Sequence, residues 1–409
     1  MGLLTRLTLG VVLTALPRAA GALSWDIDVD ARAVIANADQ SFLDGGLGKF
    51  RYNDGNSAHL GRLRVELEQR LGEKLRLVAD ASYWGDRGPH PLDLTEAFAE
   101  YRSFPHNAWR TRFRVGAFYP PSSLENRAAG WESPYSISSS ALNSWIAEEI
   151  RAIGAEVAVD RLGSKAGRAL DWGVFAGVFG WNDPAGVLIA NHGFGLHDRQ
   201  TRLHDHLGPV DAVAIVNRQL FYEIDDRAGF YVGGKLRLQD RVEARAMHYD
   251  NRADPTISKP SINDIAWRTA FDTAGLRVEI APERTVLAQW LNGRTTAAPY
   301  DTYRWHFATW NLLANQRWGA QGVSVRYDKF RVHMVLNGSD PATQSNYGSA
   351  WTLAYAYERD GAPWRFMAEI IRVDSVVTDR RDYLALSPQV IESKLELSLR
   401  YRLSGEYHQ

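Results

Sequence analysis

The side chains with the most chemistry to offer are arginines two residues apart. Arg62, Arg64 and Arg70, and then Arg110, Arg112 and Arg114, all fall on alternate positions. In an extended chain such residues share one face at intervals of about 6 to 7 Å. A row of guanidinium groups keeps its charge and binds carboxylate or phosphate bidentately, so it can pass an anion from site to site. Glu66 and Glu100 are read as lining the same water-filled face. The competing expectation is a neutralised structural network, because Glu66, Glu68, Glu96, Glu100, Asp26, Asp28 and Asp30 lie on neighbouring segments and the formal net charge is only −1.

Two longer segments carry the other candidates. The stretch 120–148 contains Glu125, Arg127, Trp131, Glu132, Tyr135 and Trp145. Its length suits a constriction, and aromatic rings with acids suit sugars; the alternative is that the rings pack it against a wall. The stretch 182–227 includes His192, His197, His204 and His206 with Asp198 and Asp205. Imidazole and carboxylate suit zinc or copper, but the spacing matches no established signature. No metal and no cofactor is therefore expected, with His197, His204 and His206 as weak candidates, and a plug or gate is the preferred reading.

These residues need elements that hold them at period two. Trp25, Ile27, Val29, Ala31 and Ala33 alternate with Asp26, Asp28, Asp30 and Arg32; Leu395, Leu397, Leu399, Tyr401 and Leu403 alternate with Lys394, Glu396, Ser398, Arg400 and Arg402. Leu63, Val65 and Leu67, and Phe113, Val115 and Ala117, do the same. One face is apolar and the other charged, as strands with lipid outside and water inside require. The 14 Trp and 17 Tyr suit aromatic girdles at the two membrane surfaces. No cysteine is present, so stability must come from backbone hydrogen bonds and burial.

Connection lengths set the topology. Short links at 71–73, 104–108, 162–168, 239–241, 281–284, 318–321 and 359–362 alternate with long ones at 37–59, 85–93, 120–148, 182–227, 250–264, 292–303, 329–348 and 374–391. Seven short and eight long connections imply sixteen antiparallel strands, with both termini at the short-turn, periplasmic side. Fourteen or eighteen strands remain open, because the apolar parity changes between Ile265 and Ile280 and suggests a bulge. The segment Val210 to Ile224 has room for a strand or short helix. The last strand is read as ending near Leu403.

Ahead of the barrel, Arg6, the apolar run Leu7 to Leu16 and Ala20-Gly21-Ala22 read as a signal peptide over residues 1–22. An apolar core of about ten residues is too short for a helical span. The expectation is an all-β chain exported to the outer membrane, with residues 23–409 forming one transmembrane antiparallel β-barrel.

A resemblance narrows this further. Leu94-Thr95-Glu96-Ala97-Phe98-Ala99-Glu100-Tyr101-Arg102, the strand Arg110 to Phe118, and Tyr119-Pro120-Pro121-Ser122-Ser123-Leu124-Glu125-Asn126 together resemble the hairpin of the phosphate-selective porin family. Gly116, Phe118 and Pro121 carry its Gly-x-Phe-x-x-Pro ending. The resemblance covers about thirty-five residues. It implies a porin-type barrel whose third long loop folds inward; lysine is scarce, so phosphate is not carried over.

The function expected is passive diffusion of small polar or anionic solutes. The alternatives are a polysaccharide or sugar-specific barrel and, third, a barrel-embedded hydrolase, for which no Gly-x-Ser-x-Gly motif is present. Expected partners are outer-membrane lipid and lipopolysaccharide, small solutes, the barrel-assembly machinery and, by analogy, two further copies in a homotrimer. No nucleic acid is expected.

Overall fold

A computed structural model of the chain describes residues 22–408, apart from 54, 86–91, 208–217, 240, 260–263, 298–302 and 337–338. The signal-peptide reading therefore lies outside the described residues, except Ala22.

The alternating segments form one closed sheet. Its strands are β1 (Ala22–Asn37), β2 (Asn56–Leu71), β3 (Leu75–Tyr83), β4 (Leu92–Arg102), β5 (Trp109–Phe118), β6 (Ala152–Arg161), β7 (Leu170–Gly180) and β8 (Gly229–Leu238). They continue as β9 (Val242–Asp250), β10 (Arg268–Ala281), β11 (Arg284–Ala297), β12 (Tyr303–Trp318), β13 (Gln321–Leu336), β14 (Ser339–Glu358), β15 (Trp364–Val377) and β16 (Gln389–His408). Each pairs antiparallel with the next, and β16 closes on β1 from Ala22↔His408 to Asn37↔Ser393. Sixteen strands leave no free edge, so every strand backbone has partners on both sides.

The seven short turns fall where the sequence places them, for instance 72–74 between β2 and β3. Two expectations change. The supposed loop 329–348 is strand: β13 and β14 pair as far as Leu336↔Ser339. These polar residues hide a strand from the alternation rule because part of the ribbon stands in water beyond the lipid. Strand β16 also continues past Leu403 to His408, pairing Tyr407 with Leu23. The segment Val210 to Ile224 contributes only Arg218–Gln219, paired with His206–Leu207; residues 210–217 lie outside the described set.

The parity change in β10 has a different cause from the one expected. The register with β11 is unbroken from Arg268↔Thr296 to Glu279↔Thr285, and the irregularity comes only beyond Glu279. Phe271 instead points inward with Thr269 and Thr273, and Asp272 points outward to His248, 2.8 Å away. The inside of the barrel is apolar at this level, so the hydrophobic residues follow the core and not the lipid.

Val115, Val174, Val178, Ile370 and Leu399 form part of the outward apolar belt, an area of hydrocarbon that a protein in water would not leave uncovered. It is flanked by aromatics. Trp109 and Trp172 meet edge to face at 5.5 Å on the short-turn side, with Tyr357 stacked on Trp364 at the same separation. Trp290, Trp310, Tyr327 and Trp351 mark the other boundary. These are the two girdles of a transmembrane barrel.

The core sits inside the barrel. Helix α1 (Ala141–Glu149) and the short helix α2 (Val187–His192) lie within it. Trp145, Leu188 and Phe194 from these segments pack with Phe179, Tyr231, Tyr249, Phe271, Leu291, Phe307 and Phe330 from the walls of β7 to β13. Trp145 touches Phe271 and Phe307 with ring centroids 5.2 and 4.9 Å apart. A third helix, α3 (Thr378–Leu384), precedes β16.

Candidate lumen constriction and basic vestibule

The segment 119–151 crosses the lumen and is held by opposite walls. Glu132 pairs with Arg400 at 2.5 Å and with Arg62, Arg127 with Glu243 at 3.0 Å, and the Tyr135 hydroxyl accepts from Arg277 Nε at 3.4 Å. Arg365 donates to Pro134 O at 2.6 Å, and Ser138 N–H donates to Glu369 at 3.0 Å. Trp131 stacks on Tyr119 at 4.1 Å. At its centre Glu125, fully buried, meets Arg326 of β13 at 2.9 Å. Arg326 also donates to Asp328, Ser136, Ser138 O and Ser139 O, each within 2.9 Å. One guanidinium thus binds the loop's turn to the wall.

The hairpin leading into this segment shows why its glycine is there. Gly116 has φ +129 and lies so close to β4 that an added Cβ would sit 2.2 Å from the Ala97 carbonyl oxygen. Only glycine tolerates both conditions.

The two arginine rows diverge in role. On β2, Arg62 is buried between Glu132 and the Trp84 ring. Arg64 is fully buried among Asp80 at 2.6 Å, Asp26 and Asp28 at 3.2 Å each, and Glu66. Arg70 stands exposed at the short-turn mouth beside Glu68 at 2.8 Å. These three sit in the neutralised network. On β5, Arg110 pairs with Asp160 at 3.0 Å, and Arg112 and Arg114 share the buried Glu156 at 2.9 and 3.1 Å. Glu100 is almost covered, receiving Arg76 and Arg102 at 3.1 and 3.0 Å.

The β5 row still opens on water. Two adjoining cavities of about 150 and 210 Å³ lie below the crossing segment, on the β5 to β9 side, and share Lys235 and Arg245. Among the described residues, seven cationic side chains line them, Arg110, Arg112, Arg114, Arg127, Lys235, Arg237 and Arg245, against Asp160, Asp171 and Glu243. Sequence reading missed Lys235, Arg237 and Arg245 on β8 and β9. Their alternation, Lys235 with Arg237 and Glu243 with Arg245, was the available signal.

The second long segment closes over the first. His197 and Ser144 exchange backbone and hydroxyl hydrogen bonds at 2.9 and 3.1 Å, Arg151 donates to Thr201 O at 2.7 Å, and Asp198 pairs with Arg32 at 2.8 Å. The histidines do not gather. His197 is buried against Phe42 and Glu148, His204 is exposed and meets Asp93 at 3.0 Å, and His206 lies in the small sheet with Gln219. Among the described residues, the group close enough to hold a cation is Asp183, Glu223 and Asp225.

Burial pushes the Glu149 carboxyl up to about 7, although Leu188 and Ile189 N–H and the Trp145 indole donate to it. Burial and the nearby Glu223 and Asp225 likewise raise Asp183 to about 7, while burial lowers His192 to about 4. A carboxyl held up stabilises the folded state most below its unfolded value and loses that contribution as pH rises through 7; His192, held down, contributes above its unfolded value and loses it as pH falls through 4. The two carboxyls outweigh the imidazole between about pH 7 and 5. The plugged barrel is therefore expected to have a higher unfolding midpoint near pH 5 than near pH 7.5. Glu149→Gln should remove on the order of 3 kcal/mol of that dependence; an identical pH slope in the variant would refute this assignment.

No protein-family model matches the chain, and no characterised protein matches it in sequence. Solved structures do match in fold. In-vitro folded OmpT, an outer membrane protein of Vibrio cholerae, superimposes with TM-score 0.51 at 10% identity, over 93% of this chain and 98% of that one. The outer membrane channel DcaP of Acinetobacter baumannii gives 0.50 at 12%, over 94% and 98%. An anion-selective porin from Comamonas acidovorans gives 0.51 at 10%, over 94% and 100%. At these identities the likeness speaks for the fold alone, and that fold is the sixteen-stranded outer-membrane barrel shared with porins.

Proposed function

We propose that the chain is an outer-membrane channel for passive diffusion of small polar solutes, with anions preferred. The observation that carries this is the vestibule under the crossing segment, where seven cations line the space with three carboxylates and the buried Glu156 behind Arg112 and Arg114 adds a fourth. An anion entering it meets excess positive charge in a confined space with low-dielectric walls, which raises its local concentration. Segment 119–151 acts as the constriction and the packed segment 181–207 as its gate. An anion-selective solved neighbour with the same fold is consistent with the charge argument. The lipid of the outer membrane is the barrel's surrounding partner, and export by the leader at 1–22 and insertion by the assembly machinery complete the reading.

Planar-bilayer recording of the refolded protein tests it. Stepwise currents are expected, with a reversal potential of anionic sign in a potassium chloride gradient. Absence of steps from a folded barrel would overturn the channel, and a cationic sign would overturn the preference.

A further inference from the structure

One stretch of the outer wall is not suited to hydrocarbon. On β11 to β14 the outward positions run across the sheet in paired rows. Trp290, Trp310 and Lys329 share one row, Asn292, Ala308, Arg331 and Tyr347 the next, and Arg294, His306, His333 and Ser345 the third. Trp290, Trp310 and Tyr347 are each between 43% and 46% exposed. The rows climb away from the short-turn end at about 7 Å of strand per step. The cations therefore begin at the upper aromatic girdle and extend beyond it, where lipid headgroups lie.

The outward carboxylates nearest this patch, Asp272 and Asp374, stand on the flanking strands β10 and β15 and not among the cations. Among the described residues the side chains of Arg294, Lys329 and Arg331 make no ion pair or hydrogen bond, and the His306 and His333 rings stack at 5.3 Å between them. The wall here is hollowed into an open groove of about 470 Å³, with Trp290 and Trp310 on one side and Lys329, Arg331, His333 and Tyr347 on the other. An apolar aromatic floor leading up to unpaired cations is complementary to a molecule with acyl chains below and phosphate above.

We propose that this groove binds a phosphorylated lipid of the outer leaflet, with Lys329 and Arg331 of its lining and Arg294, in the row above Asn292, holding its phosphate groups and Trp290 and Trp310 lying against its acyl chains. The site faces away from the lumen, so the inference rests on the outer-membrane placement of the barrel and not on conduction. Loss of one leaves the other testable.

The probe is bisphosphorylated lipid A, titrated onto the full refolded barrel in neutral detergent and counted by native mass spectrometry. Dephosphorylated lipid A and inorganic phosphate serve as comparison arms, and heat-modifiable gel mobility verifies folding. The protein should retain the phosphorylated lipid, and the triple variant Arg294→Ala, Lys329→Ala, Arg331→Ala should bind it about a hundredfold more weakly. Arg294→Lys with Arg331→Lys should restore most of the binding. Equal retention by the folded triple variant, equal retention of the dephosphorylated lipid, or displacement by millimolar inorganic phosphate would each overturn the assignment. Channel recordings on the triple variant should match the parent protein whichever result is obtained.

Discussion

Arg326→Ala should both loosen the protein and open it. The guanidinium is buried, and its removal leaves Glu125 and Asp328 as uncompensated charges in the interior. Breaking a buried pair from one side costs about 3–5 kcal/mol. Three further contacts of the segment go with it, those to Ser136, Ser138 O and Ser139 O. The strand ladder is untouched, because none of these bonds belongs to it. The expected result is a folded barrel with a lower urea midpoint for the packed interior and a larger, noisier single-channel conductance as the crossing segment leaves the wall. Combining Arg326→Met with Glu125→Gln and Asp328→Asn should recover part of the stability, since no charge is then left unpaired. Unchanged midpoint and conductance in Arg326→Ala would show that the segment is held elsewhere.

Replacing Arg112 and Arg114 together by Ala should move the reversal potential toward cations. Both arginines share Glu156, whose carboxylate is covered and keeps only the Tyr231 hydroxyl, at 2.7 Å, once they are gone. The substitution therefore removes two positive charges and uncovers a negative one. A unit charge at about 6 Å in water is worth roughly 0.7 kcal/mol, so each change alters the local concentration of either ion about threefold and the cation-to-anion ratio about tenfold, and more in a confined vestibule. Adding Glu156→Gln should return part of the shift. The same double substitution on β2, Arg62→Ala with Arg64→Ala, should leave selectivity nearly unchanged and lower stability, because those side chains are sealed among carboxylates. An unchanged reversal potential in the β5 variant would place Arg112 and Arg114 in the structural network as well.

The contrast between the two rows shows where sequence reading stops. Arg62 and Arg64 on β2 have the same spacing as Arg112 and Arg114 on β5, and period two puts every one of them on the inner face. What distinguishes them is a contact no local pattern contains. Glu132 lies about seventy residues from Arg62 in the chain and reaches it only because the crossing segment spans the lumen. Similarly, Phe271, Phe307 and Phe330 look like lipid-facing residues out of phase until Trp145 and Phe194 are seen packed against them.

A strand number near sixteen, the pairing order and which face of each early and late strand turns inward were set by the sequence alone, because alternation and turn length are local and the closed backbone ladder leaves few other arrangements; the structure decided between sixteen and the neighbouring even counts. The tertiary structure decided what fills the inside. Alternation says that two faces differ without naming the solvent on each, and two long segments brought their own apolar side chains and counter-ions into the lumen. They sealed Arg62 and Arg64, left the β5 arginines facing a small basic vestibule, and gave the interior a packed core in place of the open water that charge patterning had suggested.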